Sequence, residues 1–313
     1  MRRTLALALL LLFILSAQGC GWSMPYRAAR PVTLTQDHVP DSALHVDTQN
    51  GSVEVLASSE YTDVTIEAKL TCGGGTQAEA DRRLREARLD ASRDTSRALC
   101  IRPIFPGGRR GGDGASIAVR LPDVGDVDVN TSNGSIEISG SRGEVIVDTS
   151  NGSIDLIDHN GPATIETSNG AVHAVHSTGP LEIDTSNGRV LIESHEGMLR
   201  IDTSNGAVIV TDQAGETTID TSNGSITLTL RPDATGPVDL DTSNSSISLT
   251  IGPAFAGPMT LRTSNASISI HDPTGVIGAQ EIGKYRARLT IGGDGPESRL
   301  RTSNGRVSLT VNP

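Results

Sequence analysis

Six carboxylates in this chain recur at one fixed place and could act together. Asp148, Glu166, Asp184, Asp202, Asp220 and Asp241 each stand immediately before a Thr-Ser-Asn phrase, and the position then switches to Arg262 and Arg301. If these residues stack, oxygen ligands of this type suit calcium, although a flat column offers few ligands to any one ion. Neighbouring carboxylates at strand spacing also repel by about 0.8 kcal/mol even in water. The column is therefore expected to be either a weak face for Ca²⁺ or a cationic partner, or a solvated stripe that discourages edge aggregation. Arg200 beside Asp184 and Asp202 mimics the acid–base grouping of polysaccharide lyases, but no long loops flank it to wall a cleft.

The other reactive residue types are dispersed. His173 and His176 have a spacing that would suit one helix face, yet they sit in a strand pattern. His159 and His195 occupy equivalent places two repeats apart, roughly 10 Å at strand spacing, too far to share a metal. Serines and threonines abound without a Gly-x-Ser-x-Gly, and neither a phosphate-binding nor a dinucleotide motif occurs. No catalytic residue and no cofactor is assigned, the calcium face aside.

The three cysteines divide by position. Arg2 and Arg3 precede an apolar run from Leu5 to Leu15, too short to span a bilayer, and "LSAQGC" follows, ending at Cys20. That is the form of a bacterial lipoprotein signal, with Cys20 as the lipidated first residue of the mature chain. It implies a membrane partner through the lipid and a place in the cell envelope, most simply at the outer membrane. Cys72 and Cys100 remain. Export permits a disulfide, and one is expected between them. Without Arg2 and Arg3 the balance is 24 basic against 37 acidic residues, a charge of −13, with only Lys69 and Lys284 as lysines. Nucleic acid is not an expected partner. An envelope or surface protein or glycan is.

What must position these groups is a repeat. The asparagines Asn133, Asn151, Asn169, Asn187, Asn205 and Asn223 follow at intervals of 18, Asn244 and Asn265 at 21, and Asn304 after 39, as if one phrase had degenerated. "DTQNGSVEV" (47–55) is a diverged copy apart from the array. Around each phrase apolar residues alternate, as in Val145, Val147, Thr149 and then Ile154 and Leu156, so each unit holds two short strands with one buried face. Asn-Gly could centre a hairpin. A hairpin, however, does not require the same Thr, Ser and Asn in every copy, whereas stacked coils place Thr over Thr and Asn over Asn, where side chains hydrogen-bond along the stack. The fold expected is all-β: a single-chain parallel β-solenoid of about ten 18–21-residue coils, a rod roughly 48 Å long. Asn and Gly would supply a left-handed corner at low steric cost.

The domain reading is a signal peptide (1–19), a tether (20–40), an α+β cap (41–121) and the solenoid (122–313). Within the cap, "DVTIEAKL" (63–70) reads as a strand and 76–87 as a helix capped by Thr76. A hairpin crosses Asp94 to Arg97, and "GGRRGGDG" reads as a flexible loop. The cap would cover an otherwise open sheet end.

A lipoprotein signal, "DTQNGSVEV", a helix and hairpin, and "IAVRLPDVGDVDVNTSNGSIEI" leading into Asn-Gly repeats together resemble the bacterial putative-adhesin family of β-strand-repeat proteins, over residues 41–313. The resemblance implies fold more than activity. The function expected is a non-enzymatic, envelope-anchored adhesin or binding rod. The alternatives are a structural envelope spacer and, less favoured, a polysaccharide-acting β-helix enzyme. An ice-binding face is disfavoured, because Thr149, Thr167 and Thr185 are expected to point inward.

Overall fold

The computed structural model describes residues 25–313; the 1–19 leader and Cys20 lie outside the described residues. Two long sheets face each other, one of 13 strands and one of 14. The strands before each phrase, such as Val145–Thr149, form sheet II, and those after it, such as Ile154–Ile157, form sheet I. Neighbouring coils pair in parallel with residue-for-residue register, Val145 on Ala163 and Thr149 on Thr167. The solenoid reading holds and the hairpin reading does not. Alternation decides the core. Val147, Ile165, Ile183, Ile201 and Ile219 form one buried ladder, and Leu156, Ala174, Ile192 and Val210 form the facing one. Such aliphatic ladders close-pack these coils of the two sheets without aromatic side chains.

Ten coils stack, but not in the order in which the chain writes them. The strands Leu44–Asp47 and Val53–Ala57 pair directly with Val127–Thr131 and Ile136–Ser139. The diverged copy is thus the first coil of the array, and residues 58–121 are an excursion from it. At the other end the pair Ser298–Thr302 and Val307–Val311 inserts between Val238–Ile251 and the coil of Gly257–Arg262 and Ile268–His271. The 39-residue interval is not a degenerate coil. It is an antiparallel hairpin, Ile277–Ile282 with Arg286–Ile291, that extends sheet II beyond the last coil.

The excursion caps the first coil. Val64–Gly74 lies antiparallel to Gly114–Leu121, and the helix Gln77–Glu86 packs behind it, with Thr76 Oγ1 accepting the Glu79 amide at 3.2 Å. Arg88–Arg93 and Leu99–Ile104 form the expected hairpin. Two expectations fail here. The tether reading of 20–40 gives way to an edge strand, Tyr26–Gln36, antiparallel to Val64–Gly74. Only one of its faces meets the core, through Ala28, Val32 and Leu34, so its apolar signal is weak, and Pro31 is tolerated at an edge. The "GGRRGGDG" segment is tied down rather than flexible. Asp113 accepts both Arg83 guanidinium nitrogens at 2.7 Å, and both side chains are buried.

Candidate binding face

The phrase builds an edge of the rod from its own side chains. Each Thr turns inward, and the hydroxyls of Thr167, Thr185, Thr203, Thr221 and Thr302 accept the amide of the phrase glycine, Thr185 from Gly188 at 3.2 Å and Thr221 from Gly224 at 3.0 Å. Each Asn turns outward, and its Nδ2 donates to Oδ1 of the next Asn in the stack, Asn187 to Asn169 at 2.9 Å and Asn205 to Asn187 at 2.8 Å. The ladder runs in one direction through Asn133, Asn151, Asn169, Asn187, Asn205, Asn223, Asn244, Asn304 and Asn265. Asn50 joins it as the first rung and donates to the Asp113 carbonyl at 2.8 Å.

The expected left-handed corner is not at Asn-Gly. Neither residue of the phrases from Thr131 onward has positive φ. The phrase glycine is needed for close approach, since a Cβ on Gly170 would collide with the Gly152 carbonyl. The left-handed residues form the opposite corner: Asp158, His176, Ser194 and Asp212, with φ of 51° to 59°. Asp, Ser and His carry no branch at Cβ, so this conformation is accessible to them.

That second corner holds a ladder that sequence reasoning missed. Ser141, His159, Ser177, His195 and Gln213 turn inward and are buried. Ser141 Oγ lies 2.8 Å from His159 Nδ1, and Ser177 Oγ lies 2.8 Å from His195 Nδ1. Nε2 of His159 faces the Pro162 carbonyl at 3.3 Å, so a proton on Nε2 would donate there while Nδ1 accepts from the serine hydroxyl. Burial pushes both imidazoles below their ordinary pKa. The 18-residue spacing of Gly161, Gly179, Gly197 and Gly215 beside it was the available signal. His173 and His176 do not share a site. His173 projects from the sheet toward Asp155 at 3.5 Å, and His176 sits at the corner beside Asp158 at 3.3 Å.

The two cysteines are free thiols, which overturns the expected Cys72–Cys100 disulfide. Cys72 points into the core from a strand of sheet I, while Cys100 alternates to the outer face of sheet II between buried Leu99 and Ile101. Alternation sends the two side chains to different sides of different sheets. Burial raises the pKa of each thiol, so neither is poised as a thiolate nucleophile.

The acidic column is a true column. Asp148, Glu166, Asp184, Asp202, Asp220 and Asp241 are register neighbours on the outer face of sheet II. Burial and the neighbouring Asp202 hold Asp220 above the usual carboxylate pKa. Asp241 is raised by burial, against the pull of Arg301. Arg200 turns to Glu182 at 3.4 Å in the adjacent column and not to Asp184 or Asp202. Among the described residues no three His, Cys, Asp or Glu side chains are grouped to hold a metal ion. Beyond Asp241 the same column becomes Arg301, Arg262 and Arg286, so the face changes sign along the rod. The order Arg301 before Arg262 follows from the inserted coil and is invisible in the sequence.

A family model described as Toastrack DUF4097 matches residues 42–258, more than two thirds of the chain. Among solved structures, one of a putative adhesin from Bacteroides fragilis NCTC 9343 is 12% identical, with a TM-score of 0.34, covering 90% of this chain and 97% of that one. Another, of a putative adhesin from Parabacteroides merdae ATCC 43184, is 12% identical with a TM-score of 0.28, covering 92% and 97%. A third, of a putative cell adhesion protein from Clostridium sporogenes ATCC 15579, is 7% identical with a TM-score of 0.19, covering 90% and 100%. No curated protein matches the chain.

Proposed function

Because the chain belongs to the Toastrack DUF4097 family, we propose that it is a non-enzymatic binding rod of the bacterial envelope, adhesin-like, held to the outer membrane by a lipid on Cys20. The observation that carries this reading is the unbroken asparagine ladder from Asn50 to Asn265, which makes one rigid body with long, regular, charged faces. Extended faces of this kind suit contact with a polymer or a second surface better than turnover of a small substrate. Function stays with the faces, because a solenoid core by itself does nothing.

The anchor and the adhesive role are tested together in cells. Wild-type protein is expected to take up labelled fatty acid, to fractionate with the membrane and to be cleaved by protease added to intact cells. Cys20→Ala is expected to be soluble and unlabelled, and cells carrying it to adhere less. Unlabelled, soluble wild-type protein removes the anchor. Protease resistance on intact cells places the rod in the periplasm and removes the adhesive role.

A further inference from the structure

We propose that the outer face of sheet II pairs with the same face of a second copy of this chain, the two rods lying antiparallel about a two-fold axis. The ground is the order of charge in one column of outward-facing side chains. Along the stack it runs Arg286, Arg262, Arg301 and then Asp241, Asp220, Asp202, each a register neighbour of the next. Three cations are followed by three anions on six consecutive strands. A two-fold axis parallel to the strands, placed between Arg301 and Asp241, reverses that order on the facing copy. It sets Arg286 over Asp202, Arg262 over Asp220 and Arg301 over Asp241, and each contact occurs twice.

The charges that meet in this way are largely unspent within one chain. Among the described residues Arg262 and Arg286 make no ion pair, and neither do Asp202 and Asp220. All four are exposed. Arg301, next to the axis, is the exception, held by Asp239 and Asp241 at 3.2 Å each. Strand spacing is the same on both copies, so a match at one strand carries to the next. The adjacent outer column accommodates the same pairing, with Arg299 over Asp239 and Thr260 over Thr218. It also sets Arg288 over Arg200, but each of these already lies beside a carboxylate, Glu281 at 3.9 Å and Glu182 at 3.4 Å.

Other occupants answer only part of this face. A polyanion attracted to the arginines is repelled from Asp241 onward, and a polycation meets the reverse. A second copy answers both halves in order. Six strands about 4.8 Å apart, each of five residues rising about 3.3 Å, give a face of roughly 29 by 17 Å, or about 1,000 Å² over two copies. That area lies at the low edge of specific interfaces, so the pairing is expected to be weak and salt-sensitive. The edge strand Tyr26–Gln36 lies at the far end of the stack from the basic strands, so antiparallel rods point their N-terminal ends in opposite directions. Anchored rods therefore meet in this way between two facing membranes, a consequence that rests on the anchored-rod reading. The pairing itself does not. Its test uses soluble protein, so it can fail while lipid labelling and cell adhesion succeed, and the reverse.

Sedimentation equilibrium of the full mature chain carrying Cys20→Ala, at about 100 mM and about 500 mM salt, tests the pairing. A monomer–dimer equilibrium is expected at the lower salt and should weaken several-fold at the higher. Arg262→Glu with Arg286→Glu should weaken the dimer about tenfold or more, because glutamates then face Asp220 and Asp202. Asp202→Arg with Asp220→Arg should do the same by setting arginine against arginine. An equimolar mixture of these two variants should recover a dimer within about threefold of wild type, since every contact in it is again of opposite sign. Arg142→Glu with Arg189→Glu, the same change in net charge away from this column, should leave dimerisation within about threefold. Melting curves show that each variant is folded. Arg262→Gln with Arg286→Gln should weaken the dimer less, in the same direction, and decides the matter if a charge reversal fails to fold. Wild type that stays monomeric up to about 200 µM overturns the proposal and leaves the face to a different partner. A dimer that survives either charge reversal or the glutamine pair undiminished overturns it, and so do folded variants whose mixture stays monomeric.

Discussion

Asn265 Nδ2 donates to Asn304 Oδ1 at 2.7 Å, so the rung that comes last in the chain lies inside the stack and the earlier rung closes it. The C-terminal strands Ser298–Thr302 and Val307–Val311 therefore bridge coils that would otherwise not touch. Truncation after Asp294 should free the coil of 257–271 as well as removing residues 295–313. Limited proteolysis of the truncated protein is expected to cut within 252–294. A protected 252–294 segment would show that this coil can dock on Val238–Ile251 directly.

Asn187 both donates to and accepts from ladder neighbours, whereas Asn265 only donates. Asn187→Ala should lower unfolding stability by about 1–2 kcal/mol, and Asn265→Ala by about half as much, because water replaces part of each exposed bond. Denaturant unfolding of the two variants checks this. Equal losses would mean that the second ladder bond at Asn187 contributes nothing to stability.

The Arg83–Asp113 pair is bidentate and buried, and it joins the helix to the 107–113 loop. Asp113→Asn or Arg83→Met should each cost about 3–5 kcal/mol, since each leaves a buried group uncompensated. A double variant with apolar residues at both positions should recover part of that loss. Unfolding midpoints for the three variants decide the matter.

His159 and His195 are buried, and burial lowers both pKa values. In the unfolded chain each titrates near its ordinary value, about 6.5. Below that pH the unfolded chain takes up protons that the folded chain refuses, so stability falls as pH drops from about 6.5 toward the folded values. Above about 6.5 both states are neutral, and this contribution is flat. Within the window the slope reaches at most about 1.4 kcal/mol per pH unit for each histidine. Melting temperature measured from pH 8 to pH 5 should show the decline, and His159→Gln with His195→Gln should flatten it.

Asp220 has a raised pKa, which means that folding disfavours its charged form. Stability from this group is highest below the ordinary carboxylate range and is lost as pH rises through the folded value, so the penalty is complete at pH 7. Asp220→Asn should therefore raise stability slightly at neutral pH. Asp241→Asn should gain less, because the 3.2 Å contact with Arg301 offsets part of the burial penalty on that carboxylate. Millimolar calcium should leave wild type and Asp220→Asn unchanged relative to each other. Calcium stabilisation confined to wild type would make the column a cation site.

The 18-residue period and its alternation were enough to fix a parallel two-sheet stack with Thr inside and Asn outside, because side-chain direction in a strand depends only on parity. The helix after Thr76 and the hairpin around Asp94 to Arg97 were legible for the same local reasons, a cap and a turn. Tertiary structure decided what local pattern cannot encode. Residues 47–55 join the array across an excursion of more than sixty residues, because a strand pairs with whichever edge is free and not with its nearest neighbour in the chain. Insertion of the last strands ahead of Gly257–Arg262 set the order Arg301, Arg262, Arg286, and with it the basic end of the rod. Cys72 and Cys100 looked pairable by compartment, but the sheet each occupies and the face each takes kept them apart. The buried Ser-His ladder went unseen because Ser141, His159, Ser177, His195 and Gln213 differ in chemistry while sharing one geometric place. A column is readable in sequence when its residues are alike, and only the stacked coils reveal it when they are not.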